Sequence, residues 1–133
     1  MATTYATFLA ELAGLTITGV ERMYDYPPAS LNTADLPAAW VQLPRGDEQV
    51  MTFQAGGGWP AMTADLIVAT EPAAQSMQSS NHDAMVAMMD AVSTALRAAK
   101  FAKGTHSWSI KSARITVAGI DYWGVVVTVV GHG

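Results

Sequence analysis

The sequence predicts an α+β fold: a mixed, mostly antiparallel sheet of about six strands, with one short N-terminal helix and one long helix packed on one face. Three observations carry this. Apolar residues recur at helical spacing in two places only, near the N-terminus and from about Ser80 to Lys103. Several β-branched runs are bounded by Gly and Pro. Two of these runs meet at Ala118-Gly119 close to the C-terminus and read as a hairpin. At 133 residues the chain is the size of one domain, 1–133, with enough material for a single core.

Taken in order, "YATFLAELAG" (5 to 14) sets Tyr5, Phe8, Leu9 and Leu12 on one helical stripe, and Gly14 is placed to end the helix. A strand is expected from about 16 to 24. It must stop before Pro27-Pro28, which cannot donate ladder hydrogen bonds. Residues 27 to 37 are rich in Asn, Ser, Thr and Asp and read as loop, with Leu36 extended ahead of Pro37. A second strand follows at 38 to 44, then a turn at Gly46-Asp47. "QVMTFQA" (49 to 55) alternates like a strand, and "GGGWP" (56 to 60) reads as a flexible tip or arm. "AMTADLIVATEP" reads as a strand ending at Pro72.

The polar stretch 73 to 80 leads into the long helix, with Ser80 or Asn81 as its cap and Asp83 near the positive end of the helix dipole. Met85, Met88, Met89, Val92 and Leu96 form its apolar stripe, and Ala84, Ala87, Ala91, Ala95 and Ala98 a smooth second one. Lys100 and Lys103 suit the C-terminal end, and Gly104 stops the helix. In the last strand Val125, Val127 and Val129 point one way while Val126 and Val130 point the other. A strand apolar on both faces has to be covered on both. Two helices on one face leave the other to be covered by something else, and a second copy of the chain is the economical candidate.

Composition supports that expectation. The chain is 50% hydrophobic and only 14% charged, whereas a domain that stands alone carries nearer a quarter charged residues. Charge is also unevenly distributed. Residues 1–96 hold ten acidic and two basic side chains, net −8, and residues 97–133 hold five basic and one acidic, net +4. The two signs either pair within the fold or make a surface on which copies stack. Five dispersed cations without a motif make a poor nucleic-acid footprint. Without cysteine there are no disulfides, thiolates or Cys-based zinc sites. No apolar run reaches the roughly 18 residues of a membrane span, and the N-terminus lacks the basic start and cleavage site of a signal peptide.

Catalytic chemistry finds no footing. His82, His106 and His132 make no metal-ligand spacing. His82-Asp83 beside Ser79 and Ser80 mimics a triad in sequence only, and a helix start is the stronger reading. "GGGWP" runs into a proline and a strand, not the helix a phosphate cradle needs. The methionines at 77, 85, 88 and 89 read as core before they read as a ligand pocket. No cofactor, metal or enzymatic activity is expected. Aromatics are the better functional signal. Trp40 and Trp123 are expected in the core, while Tyr26 beside Pro27-Pro28, and Trp59 beside Gly56, Gly57 and Gly58, are interface candidates.

The order of elements resembles the tail-terminator (tail-completion) family of long-tailed bacteriophages. The likeness is closest at Ala34-Asp35-Leu36-Pro37 leading into the strand at 39 to 43, and again at the terminal hairpin. It spans nearly the whole chain in layout, although the triple glycine and the apolar composition depart from the family. The resemblance implies a structural virion protein at the head-proximal end of the tail, assembled in the host cytoplasm. Six copies would form a ring that caps the tail tube protein, ends polymerisation and presents a docking surface to the neck or head-completion protein. DNA would pass through the lumen without specific binding, and no membrane is involved. It also adds Asp35, Leu36 and Pro37 to the candidate interface. A neck, connector or minor tail ring protein is the nearest alternative, and a small-molecule-binding domain with a Met-lined pocket is the next.

Overall fold

The computed structural model describes residues 5–24, 27–47, 61–73, 79–99 and 105–132. Helix α1 spans Tyr5–Ala13 and α2 spans Ser79–Ala98. The strands are β1 (Arg22–Tyr24), β2 (Ala38–Val41), β3 (Arg45–Asp47), β4 (Ala61–Pro72), β5 (Thr105–Val117) and β6 (Ile120–His132). They form one sheet in the order β1-β2-β4-β6-β5, with β3 also paired to β4. β1 runs parallel to β2 and every other pairing is antiparallel. The α+β architecture is therefore the expected one.

Both helices lie on the same face. Phe8 and Leu12 from α1, with Met88, Val92 and Leu96 from α2, close over Leu66 and Val68 of β4 and Val125, Val127 and Val129 of β6. Those three valines are wholly buried, because β6 is central and its odd-numbered side chains point at the helices. Val126 and Val130 on the reverse side are half-buried. The hairpin turn has Ala118 at φ 53° and Gly119 at φ 79°. Positive φ at both central residues is what a two-residue turn matching strand twist requires, so Gly119 costs nothing there and Ala118 is the strained partner.

Several boundaries differ from expectation. The strand foreseen at 16 to 24 shrinks to Arg22–Tyr24, because the Val20 N–H bonds back to the Ile17 carbonyl (3.2 Å) and Gly19 takes φ 92°. This turn drops Ile17 into the core instead of extending the chain. The second strand ends at Val41, not 44. Gly46-Asp47 is not a turn but part of β3, paired with Ala61 and Met62 of β4. Gly46 is needed there for contact: a Cβ would collide with the Tyr5 ring, which lies across it. The long helix starts at Ser79, ahead of the expected caps Ser80 and Asn81. Asn81 instead donates its amide to the Glu71 carboxylate (2.6 Å), tying the helix start to the end of β4. The helix ends at Ala98. The expected strand at 49 to 55, the tip at 56 to 60, most of the 73 to 80 linker, and Lys100, Lys103 and Gly104 lie outside the described residues.

Candidate interaction surface

The face of the sheet away from the helices is built in two parts. Toward the hairpin turn, Trp40, Ile67, Ala69, Ile115 and Tyr122 form a second buried cluster, with Leu31 and Leu36 of the 27–37 loop packed onto it. So the chain itself covers part of the face for which a second copy was the expected cover. Ile115 reaches this cluster only because position 124 is glycine. A Cβ there would sit 2.2 Å from Ile115 Cδ1 and 2.4 Å from the Val68 carbonyl oxygen. Where β4 shifts register between Ala69 and Glu71, the Thr70 hydroxyl donates to the Trp123 carbonyl (2.8 Å), so the buried polar group is satisfied.

The loop is held by short-range polar contacts. Thr33–Asp35 forms a turn of 3-10 helix. The Asp35 carboxylate lies 3.9 Å from the Arg22 guanidinium and accepts the Tyr24 hydroxyl at 3.3 Å. Arg22 in turn stacks 4.8 Å over the Tyr24 ring. Burial, and then the neighbouring Asp35 charge, push the Tyr24 phenol above its ordinary pKa. After this turn comes Leu36, joined to Pro37 by a cis peptide bond. The Pro37 carbonyl accepts the N–H groups of Glu21 (2.8 Å) and Arg22 (3.4 Å), which sets β2 beside β1. Asp35, Leu36 and Pro37 thus act together, and their contacts are internal. They deliver Ala38 into β2 at a fixed register.

Pro27 and Pro28 stand elsewhere. With Trp40, Ile67, Ile115 and Val117 they line an open groove of about 240 Å³ beside the hairpin. Gln42 and Thr116 line it too, so its walls mix apolar and polar groups, and among the described residues it is where Pro27 and Pro28 meet the outer surface of the second cluster. Trp40 was expected in the core and is buried, yet it also forms this wall. Ile115 and Val117 were not singled out in the sequence, since a β-branched run reads the same whether its residues face a core or a groove. Tyr26, Gly56, Gly57, Gly58 and Trp59 lie outside the described residues. Trp123 is half-buried, not core, and the Arg114 guanidinium lies 4.8 Å over its ring.

Away from the loop the same face turns polar. Thr63, Asp65, Ser107, Ser109, Lys111 and Thr128 share it, with Asp65 accepting the Thr128 hydroxyl (2.9 Å) and sitting 3.6 Å from Arg45. The ion pairs follow the division of charge along the chain. Arg22–Asp35, Arg45–Asp65 and His82–Asp83 join partners within 1–96, and Arg114–Asp121 joins partners within 97–133.

His82 and Asp83 are 3.6 Å apart and both well exposed at the start of α2. Among the described residues no three His, Asp or Glu side chains gather as a metal site. Met85 and Met88 are buried beneath the helix, and neither the 240 Å³ groove nor a second one of about 420 Å³, between the C-terminal ends of α1 and α2, is lined by methionine. No described helix is long and apolar enough to cross a membrane. Compared with protein-family models the chain matches none, and no curated protein matches it either.

Proposed function

We propose that this chain is a structural virion subunit of the tail-terminator kind, six copies of which close a ring over the end of a phage tail tube. The ring would end polymerisation of the tube protein, offer its outer side to a neck or head-completion protein, and leave a lumen for DNA. The observation that carries this reading is the order of elements along the described residues. A short helix, a strand, a loop ending Asp35-Leu36-Pro37 that enters a strand, a long helix and a terminal hairpin occur in the sequence of the resemblance. One further feature supports it: the charged fraction is low for a chain that stands alone.

In this reading capping is geometric and uses no catalysis. One side of the ring would match the tube's last subunits and the other would not, so growth stops. The test is imaging and native mass of the purified chain over a wide concentration range, followed by mixing with pre-formed tubes. Closed rings of six that block further tube growth are the expected result. Rings that neither bind nor block a tube would move the subunit to a neck or connector position.

A further inference from the structure

We propose that α1 is a strap: it closes over one end of the sheet, catches on two glycines, and opens on its own while the rest of the chain stays folded. The inference is independent of the ring reading. Two aromatic rings, three residues apart and so on one side of α1, make the catch. Tyr5 lies across Gly46 of β3, so closely that a Cβ there would overlap the phenol. Phe8 lies over Gly131 of β6, where a Cβ would come within 3.1 Å of both Phe8 Cε1 and His106 Nε2. The Phe8 and His106 rings are 6.1 Å apart and tilted by 32°. Neither glycine has the positive φ found at Gly19 and Gly119. The backbone at both would accept alanine, so it is the rings packed over them that require glycine there.

α1 cannot persist undocked. Its nine residues fall short of the roughly 12–15 that a helix needs to stand alone in water. Docking buries Phe8 and Leu12 completely and Tyr5, Leu9 and Ala13 in part. The rest of the fold is fastened over greater lengths. β6 pairs with β4 from Ala61 to Pro72 and with all 13 residues of β5. α2 sets Met85, Met88, Val92 and Leu96 in the core along its 20 residues. Past α1, Ile17 is buried and stays anchored, while Gly14 and Thr16 are exposed, which places the hinge at residues 14–16. Opening takes Phe8 and Leu12 out of the core and uncovers the helix side of the sheet around Gly131 and its partner Met62. A short element with few apolar anchors opens ahead of the global transition.

Native-state hydrogen exchange of the full chain, followed peptide by peptide in low urea, tests this. Amides of residues 9–13 are expected to exchange at least about tenfold faster than those of α2 and β6, with a weaker dependence on urea. Tyr5→Ala removes one half of the catch and should speed exchange in α1 about tenfold, leaving α2 and β6 as they were. Gly46→Ala should do the same, and Gly131→Ala less, because its added methyl calls for smaller shifts. The two changes at the first catch should not add, since Gly46→Ala has nothing to collide with once Tyr5 is alanine. If Gly46→Ala does not fold, the wild type and Tyr5→Ala still decide. Amides of α1 that exchange only at the rate of α2 and β6 would overturn the strap. Tyr5→Ala that leaves α1 unchanged, or speeds exchange equally over the whole chain, would overturn the catch. Additive effects of Tyr5→Ala and Gly46→Ala would remove Gly46 from it.

Discussion

The two faces of the sheet are covered by different means. On one, two helices lay aliphatic side chains over β4 and β6, and Leu66, Val68, Val125, Val127 and Val129 are sealed completely. On the other, an irregular loop brings Leu31 and Leu36 onto an aromatic cluster around Trp40 and Tyr122 and leaves an open groove beside it. A helix covers a sheet through its own periodicity. A loop has none, so it must be pinned by individual contacts, here the Arg22, Tyr24 and Asp35 group and the Pro37 carbonyl. The first face behaves as a core, and the second is a core along one side that grades into an open groove and a polar surface.

The sharpest test of that contrast is truncation on each side. Leu66→Ala and Trp40→Ala should each cost about 2–5 kcal/mol in urea unfolding, if the loop-covered cluster is as well packed as the helix-covered one. A Trp40→Ala cost under about 1 kcal/mol would show the second cluster to be surface. Gly124→Ala comes next, at about 1–3 kcal/mol, since the added methyl meets Ile115 Cδ1 and the Val68 carbonyl. Adding Ile115→Val should recover only part of it, because the carbonyl cannot move away as a side chain can.

Smaller effects sharpen how the loop is held. Asp35→Asn removes a partly exposed ion pair and should cost no more than about 1 kcal/mol. The Tyr24 phenol is raised above its ordinary value of 10, so the unfolded chain loses this proton first as pH climbs. Its contribution is fully present below pH 10 and is lost above it. Comparing urea midpoints at pH 9 and pH 11 should show a steeper fall for the wild type than for Tyr24→Phe. The smallest effect is expected at Leu43, which is 80% exposed: Leu43→Ser should shift monomer stability by less than about 0.5 kcal/mol.

Much of this organisation can be read from the residues themselves. The stripe from Met85 to Leu96 and the alternation of Val125 to Val130 are local periodicities, and they specified which sides would be buried before any partner element was known. The Ala118-Gly119 turn is likewise a local signal. The strand expected at 16 to 24 failed because apolar residues such as Ile17 and Val20 suit a buried turn as well as a strand, and only the place of Ile17 in the core decides between them. Gly46 looked like a turn for the same reason. Its freedom is used for the close approach of Tyr5, a residue 41 positions earlier, and no local pattern carries that.

The candidate surface divides in the same way. Pro27, Pro28 and the Asp35-Leu36-Pro37 entry stand out by composition, since prolines and short polar residues mark a loop wherever it goes. That Asp35, Leu36 and Pro37 make internal contacts, while Pro27 and Pro28 line a groove with Ile115 and Val117, depended on pairings between β2, β4, β6 and β5. The sequence by itself determined the two helices, the terminal hairpin, the buried stripes and the unequal charge of the two parts of the chain. Tertiary structure alone decided which loop lies on which face and which strand is left at the edge, because both follow from contacts between residues far apart in the chain.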